Sequence, residues 1–158
     1  MSIAPWSFSK IKSFEQCPKK FYHLKIAKDY RESETEAMLY GTAVHLAAEE
    51  YIRDGKPLPP EYNYCKDVLD VLNSIEGEKI CEMKMGLTEN LEPCEFFADD
   101  VWWRGIADLV IMNKRTKTAY VVDYKTSKNT RYDVWNAHQS GLCRRHCIVT
   151  ECVHNGRN

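Results

Sequence analysis

The chain of 158 residues contains no apolar run near the roughly 18 residues that a membrane-spanning helix needs. Its opening, Met1 to Lys10, lacks the apolar stretch of a signal peptide. Net charge is almost absent: 22 Lys and Arg stand against 23 Asp and Glu, for a formal value of -1. That excludes a histone-like polycation, so any contact with nucleic acid has to come from a local patch. There is no internal repeat and no low-complexity tract. The seven cysteines are odd in number and follow no framework spacing, which excludes a disulfide scaffold and implies free thiols in a reducing cytoplasm. No membrane association is expected.

What remains is a chain with enough apolar content for a core: 44% hydrophobic against 28% charged residues. A helical pattern opens at Ser7. Phe8, Ile11, Phe14, Phe21 and Leu24 recur near helical spacing, and Pro18 marks a break or a fresh first turn. Lys10, Lys12, Lys19, Lys20, Lys25 and Lys28 crowd this segment, as a solvated face or as a patch tracking phosphates, with Lys10, Lys19 and Lys20 the candidate DNA contacts. A second helix is expected from Glu34 to Arg53, with Gly41, Val44, Ala48 and Ile52 in one stripe and His45 and Glu49 beside it. A third covers Glu61 to Ile75, with Val68, Leu69, Val71 and Leu72 facing inward. The period then changes to two. Strands are expected over Lys79–Thr88, Glu95–Ala98, Val101–Met112 and Thr118–Thr126, forming an antiparallel meander whose last members are covered on both faces.

The last hairpin carries the chemistry. With a loop at Lys114–Lys117, Asn113 pairs with Thr118 and Asp108 falls opposite Asp123. Directly opposed carboxylates repel, and here their neighbours are Ile106, Val110, Val121 and Val122. Such a pair needs a shared proton, a basic partner or a metal ion. Lys125 follows Asp123 by two, on the same face. A buried salt bridge is one reading. The other is a site for a hard divalent cation, in which the lysine orients or deprotonates water for phosphodiester hydrolysis.

Gly105-Ile106-Ala107-Asp108 followed by Val121-Val122-Asp123-Tyr124-Lys125-Thr126 resembles the metal-binding hairpin of the PD-(D/E)XK nucleases, in the form used by the RecB-type exonuclease branch. Gly41-Thr42-Ala43-Val44-His45 resembles that branch's Gly-x-x-x-His helix. Ser7-Phe8-Ser9-Lys10-Ile11 with Cys17-Pro18-Lys19-Lys20-Phe21-Tyr22 resembles its opening. The resemblance implies an α/β chain of the α+β-like restriction-endonuclease type, with a central mixed sheet flanked by helices. It implies a nuclease domain over residues 1–130. Asp108, Asp123 and His45 would bind Mg²⁺ or Mn²⁺, with the Tyr124 carbonyl as a further ligand. Lys125 would be catalytic, and Glu82, on an earlier strand, a second acid. The implied function is metal-dependent hydrolysis of DNA, as an exonuclease, in repair or recombination. The implied setting is the cytoplasm of a bacterial or phage-infected cell, with a helicase or recombination protein as a potential partner.

Two departures qualify this reading. Relatives continue into a Gln-x-x-x-Tyr helix, whereas here Gln139 precedes Cys143 by four. Residues 131–158 hold no Lys, 4 Arg, 3 of the 7 Cys and 3 of the 5 His, with no helical or alternating pattern. They are expected to be an atypical tail, the mark of a truncated or frameshifted copy, which makes a DNA-binding remnant without full activity the alternative function. Cys17, Cys143, Cys147 and Cys152 outline the four cysteines of iron–sulfur RecB-type nucleases. The late spacing lacks the tight pattern of those enzymes, so an iron–sulfur RecB-type nuclease stands only as a further alternative, with Mg²⁺ or Mn²⁺ the expected cofactor.

Overall fold

In the computed structural model, which describes residues 5–126 and the backbone alone of 147–153, Pro18 begins a fresh first turn. Helix α1 (Phe8–Gln16) is capped by Ser7, whose hydroxyl accepts the Lys10 N–H at 3.4 Å. Cys17 is extended and its Sγ accepts the Lys20 N–H at 3.4 Å, so the cysteine caps α2 (Pro18–Phe21). Pro18 sits where a missing N–H costs nothing. One π-helical segment follows (Tyr22–Ala27) and ends at Lys28, φ 55°.

The remaining elements are α3 (Glu36–Asp54), a 3-10 turn (Pro60–Cys65), α4 (Lys66–Ser74) and strands β1 (Glu78–Thr88), β2 (Pro93–Cys94), β3 (Val101–Asn113), β4 (Thr118–Tyr124) and β5 (Cys147–Val153). The third expected helix is thus a 3-10 turn followed by a shorter α-helix. In hydrogen-bonding order the strands run β2-β1-β3-β4-β5. The fold is α+β. The β1–β2, β3–β4 and β4–β5 pairings are antiparallel, and Trp6–Trp103 forms a parallel bridge. Among the described residues no helix is long and apolar enough to cross a membrane.

The chain parts into two compact units. The first comprises Met1–Thr35 and Lys84–Ile106. Its N-terminal segment lies along the start of β3: Trp6 N–H donates to the Trp102 carbonyl and Arg104 N–H to the Trp6 carbonyl, both at 2.8 Å. This places Trp6 against Phe21 (stacked, centroids 5.8 Å apart) and edge-on to Phe14. The short strand expected at Glu95–Ala98 is instead β2, two residues earlier. Gly86 explains the shift, since a Cβ there would lie 2.9 Å from the Cys94 carbonyl oxygen and only glycine allows β2 so close. Residues 95–98 form a turn, closed by Ala98 N–H to the Glu95 carbonyl at 3.0 Å.

The second unit comprises Glu36–Met83 and Ala107–Asn158. Val44, Ala48 and Ile52 bury one stripe of α3 at i, i+4, i+8 spacing, as its sequence pattern predicts. From α4, Leu69 and Leu72 are buried, whereas Val71, expected inside, is exposed. Ala48, Ile52, Leu69 and Leu72 join Leu109, Ile111, Val122 and Tyr124 in one core. Gly77 leads into β1 with φ 147°, and a Cβ there would lie 2.9 Å from the Met112 carbonyl oxygen, so this turn tolerates no side chain. Burial of Leu109, Val110 and Ile111 in succession shows β3 covered on both faces there.

The segment 131–158, expected to lack regular structure, contributes β5. It pairs with β4 from Thr118–Val153 to Tyr124–Cys147. The run Ile148-Val149-Thr150 is β-branched and suits a strand, a short apolar signal without alternation. Gln139 and Cys143 lie outside the described residues.

Candidate active site

The β3–β4 hairpin has the register predicted from its turn. Asn113 pairs with Thr118 and the pairing continues to Leu109–Val122. Asn113 Oδ1 accepts the N–H groups of Arg115 (3.0 Å) and Thr116 (3.1 Å), and Lys117 takes the left-handed conformation that closes the loop. Continuing the same register by one step beyond this last pair would set Asp108 opposite Asp123. There the Asp108 carboxylate replaces a main-chain acceptor: its Oδ2 takes the Tyr124 N–H at 2.6 Å.

Asp108 Oδ1 lies 3.5 Å from Nδ1 of His45, an ion-pair distance. His45 comes from the middle of α3. Its other potential partner, Glu49, is engaged by Arg53 one turn on. Gly41, one turn before His45, lets α3 approach the end of β4, since a Cβ there would be 3.3 Å from Thr126 Oγ1. The His45 ring stands edge-on to buried Tyr124, centroids 5.6 Å apart. Asp123 pairs with Lys125. Both of those side chains are about half exposed, so this pair contributes only ~0–1 kcal/mol.

Electrostatics tie the inner pair together. The hydrogen bond with Asp108 raises the His45 pKa above the ordinary imidazole range; burial opposes this, and the charges of Asp108 and Asp123 and the Tyr124 backbone add to it. For Asp108, burial pushes upward, but His45, the Tyr124 N–H and Lys125 together carry its carboxyl below the usual range. A raised His45 stabilises the fold below about pH 6.5 and loses that contribution as pH rises through its folded value. A depressed Asp108 stabilises above about pH 3.9 and loses that contribution as pH falls through its folded value. The metal-free pair therefore acts between roughly pH 4 and 6.5. His45→Gln should lower the melting temperature in EDTA at pH 5.5 and have little effect at pH 9. Equal losses at both pH values would show that the pair is not the source.

The other expected residues belong to other elements than this group. Glu82 is exposed on β1, with a left-handed backbone, φ 50°. Lys10, Lys19 and Lys20 belong to the first unit. Lys10 Nζ donates to the Pro5 carbonyl at 2.5 Å, and Lys20 pairs with Glu32 at 2.6 Å. Lys19 and Lys20 line a shallow groove with His23, Tyr30 and Arg31. The sequence reading overlooked the Tyr124 N–H as a partner of Asp108, although an acid one step beyond a ladder's last pair is placed to make such a bond.

Two carboxylates and an imidazole suit a hard divalent cation in kind. Their present arrangement is different. Among the described residues no three His, Cys, Asp or Glu groups converge as metal ligands. Asp123 faces Lys125, and Asp108 is shared between His45 and Tyr124.

A family model of the PD-(D/E)XK nuclease superfamily matches residues 5–80, just under half of the chain. The matched stretch includes the Ser7–Tyr22 opening and the Gly41–His45 turn of α3. It ends before the hairpin with Asp108, Asp123 and Lys125. The α+β fold is consistent with the fold of that superfamily. No curated protein and no solved structure matches the chain.

Proposed function

We propose that the chain is a metal-dependent deoxyribonuclease of the RecB type, acting as an exonuclease with Mg²⁺ or Mn²⁺. The observation that carries this reading is the meeting of His45, from the helix inside the matched stretch, with Asp108, from the hairpin outside it, at 3.5 Å. Asp108, Asp123 and His45 would hold the cation, with the Tyr124 carbonyl as a further ligand. When bound, the ion would polarise a phosphoryl oxygen and make water a better nucleophile at neutral pH.

The chain's own groups have separate tasks. Lys125, which pairs with Asp123, would orient the attacking water and offset charge on the phosphate. The Tyr124 N–H fixes the Asp108 carboxylate. Glu82 would serve as an additional acid toward a metal-bound water. Lys10, Lys19 and Lys20 would contact the DNA backbone. Repair or recombination in a bacterial or phage-infected cell, alongside a helicase, is the setting this reading suggests.

A second reading is a DNA-binding remnant of the same fold, favoured by the departure from the Gln-x-x-x-Tyr pattern, since Gln139 is followed four later by Cys143. The deciding experiment is cleavage of end-labelled linear, circular, single-stranded and double-stranded DNA with Mg²⁺, Mn²⁺ or EDTA. Metal-dependent loss of linear DNA with circular DNA spared supports the exonuclease. Binding without cleavage under either metal supports the remnant. In the same assay Lys19→Gln with Lys20→Gln should weaken binding to all sequences alike and flatten its salt dependence by about one unit per lost phosphate contact. An unchanged salt slope would remove both lysines from the interface.

A further inference from the structure

The first unit holds a pocket of ≈ 510 Å³, within the range of sites that take a ligand of small-molecule size and large enough for one nucleotide. Ser7, Phe8, Ser9, Lys10, Trp103 and Arg104 line it. Arg104 packs on the ring pair Phe96–Phe97, its guanidinium carbon 5.1 and 5.3 Å from the two centroids, and Phe96 also lines the pocket. Its Nε is buried and has no acceptor among the described residues, while the residue as a whole is partly exposed. A buried guanidinium N–H without an acceptor is unfavourable, and the complement suited to this cation is an anion.

Three further features point the same way. Burial, then Arg104, Lys25 and Lys28, lower the Lys10 pKa, and every charge acting on it is positive. The first turn of α1 contributes N–H groups of Phe8 and Ser9, which precede the first intrahelical donor, Ile11. Phe8 is 65% exposed at the rim, a large ring left facing solvent beside these cations.

We propose that this pocket binds one nucleotide of an unpaired DNA strand, its phosphate on Arg104, Lys10 and the start of α1, its base on Phe8 and Trp103. The inference deepens the nuclease reading by naming its substrate as single-stranded, and it rests on that reading for the choice of DNA. Aromatic rings interleaved with cations suit stacked bases along a phosphate chain, whereas an acidic peptide would leave the rings unused. A base within a duplex could reach such a pocket only by leaving its stack.

The test is fluorescence anisotropy of an internally labelled single-stranded oligonucleotide with the full chain in EDTA. Phe8→Ala removes an exposed ring without touching the core and should weaken binding by about tenfold. Arg104→Met should weaken it as well and lower the salt slope by about one. An oligonucleotide of abasic sites should bind more weakly to the wild type and be insensitive to Phe8→Ala. The proposal fails if Phe8→Ala binds like wild type, if blunt duplex binds as well as single strand, or if inorganic phosphate or polyglutamate competes as effectively as DNA. Cleavage separates the two readings. Metal-dependent cleavage with Phe8-insensitive binding overturns the pocket and leaves the nuclease, and Phe8-sensitive binding without cleavage does the reverse.

Discussion

Asp108→Asn should reduce metal-dependent DNA cleavage by a thousandfold or more, about 4 kcal/mol of transition-state stabilisation. The fold should persist, because an asparagine carbonyl can still accept the Tyr124 N–H that Asp108 Oδ2 now takes at 2.6 Å. What is lost is the charge. His45, 3.5 Å from the carboxylate, should then titrate closer to an ordinary imidazole, observable by NMR. Lys125→Ala should also lower the rate by orders of magnitude, with little change in DNA affinity, since its proposed contribution belongs to the transition state. A rate within tenfold of wild type for Asp108→Asn would remove this carboxylate from the chemistry.

Ile111→Ala should destabilise the protein by about 2–5 kcal/mol. Ile111 is fully buried in the cluster of Leu69, Leu72, Leu109 and Val122. Its surroundings are poorly able to collapse into a cavity: the Gly77 turn abuts it, with a Cβ on Gly77 falling 3.1 Å from Ile111 Cγ2. A domain of this size is stable by only about 5–15 kcal/mol, so the loss is a large share of the total. Ile106→Ala, five residues earlier on the same strand and half exposed, should cost less than about 0.5 kcal/mol. Urea unfolding of the two variants checks the contrast. Similar midpoints would mean that the core lies elsewhere.

The hairpin was legible because local rules over-determined it. Apolar runs on either side of Asn113–Lys117 left one sensible turn, and the turn set the register from Asn113–Thr118 to Leu109–Val122. The stripe of α3 was legible for a similar reason, since Val44, Ala48 and Ile52 repeat at helical spacing. The cap role of Cys17 was not, because sulfur is a weak acceptor and seldom carries a helix start. β2 was displaced because the pattern Glu95-Phe96-Phe97-Ala98 looks like strand, while the close approach allowed by Gly86 decides where pairing occurs. The rings of Phe96 and Phe97 face Arg104 and Lys84 instead. That cation–ring assembly joins residues distant in sequence, and no local period announces it. β5 was missed for the opposite reason. Its signal is local but short, and the unusual composition around it drew the reading toward a break in the chain.

The contact between Gly41 and Thr126 sets a limit on exchange of parts. Gly41 stands one turn before His45, and Thr126 directly follows Lys125, 85 positions away in the chain. With 3.3 Å between a potential Cβ and Thr126 Oγ1, the helix and the strand end are mated like key and lock at that point. A chimaera that kept this hairpin but took α3 from a protein with a bulkier residue at position 41 would wedge the two motifs apart, even with every candidate metal ligand retained. Transplanting this site into another scaffold therefore requires moving the pair 41 and 126 together, as part of the cargo.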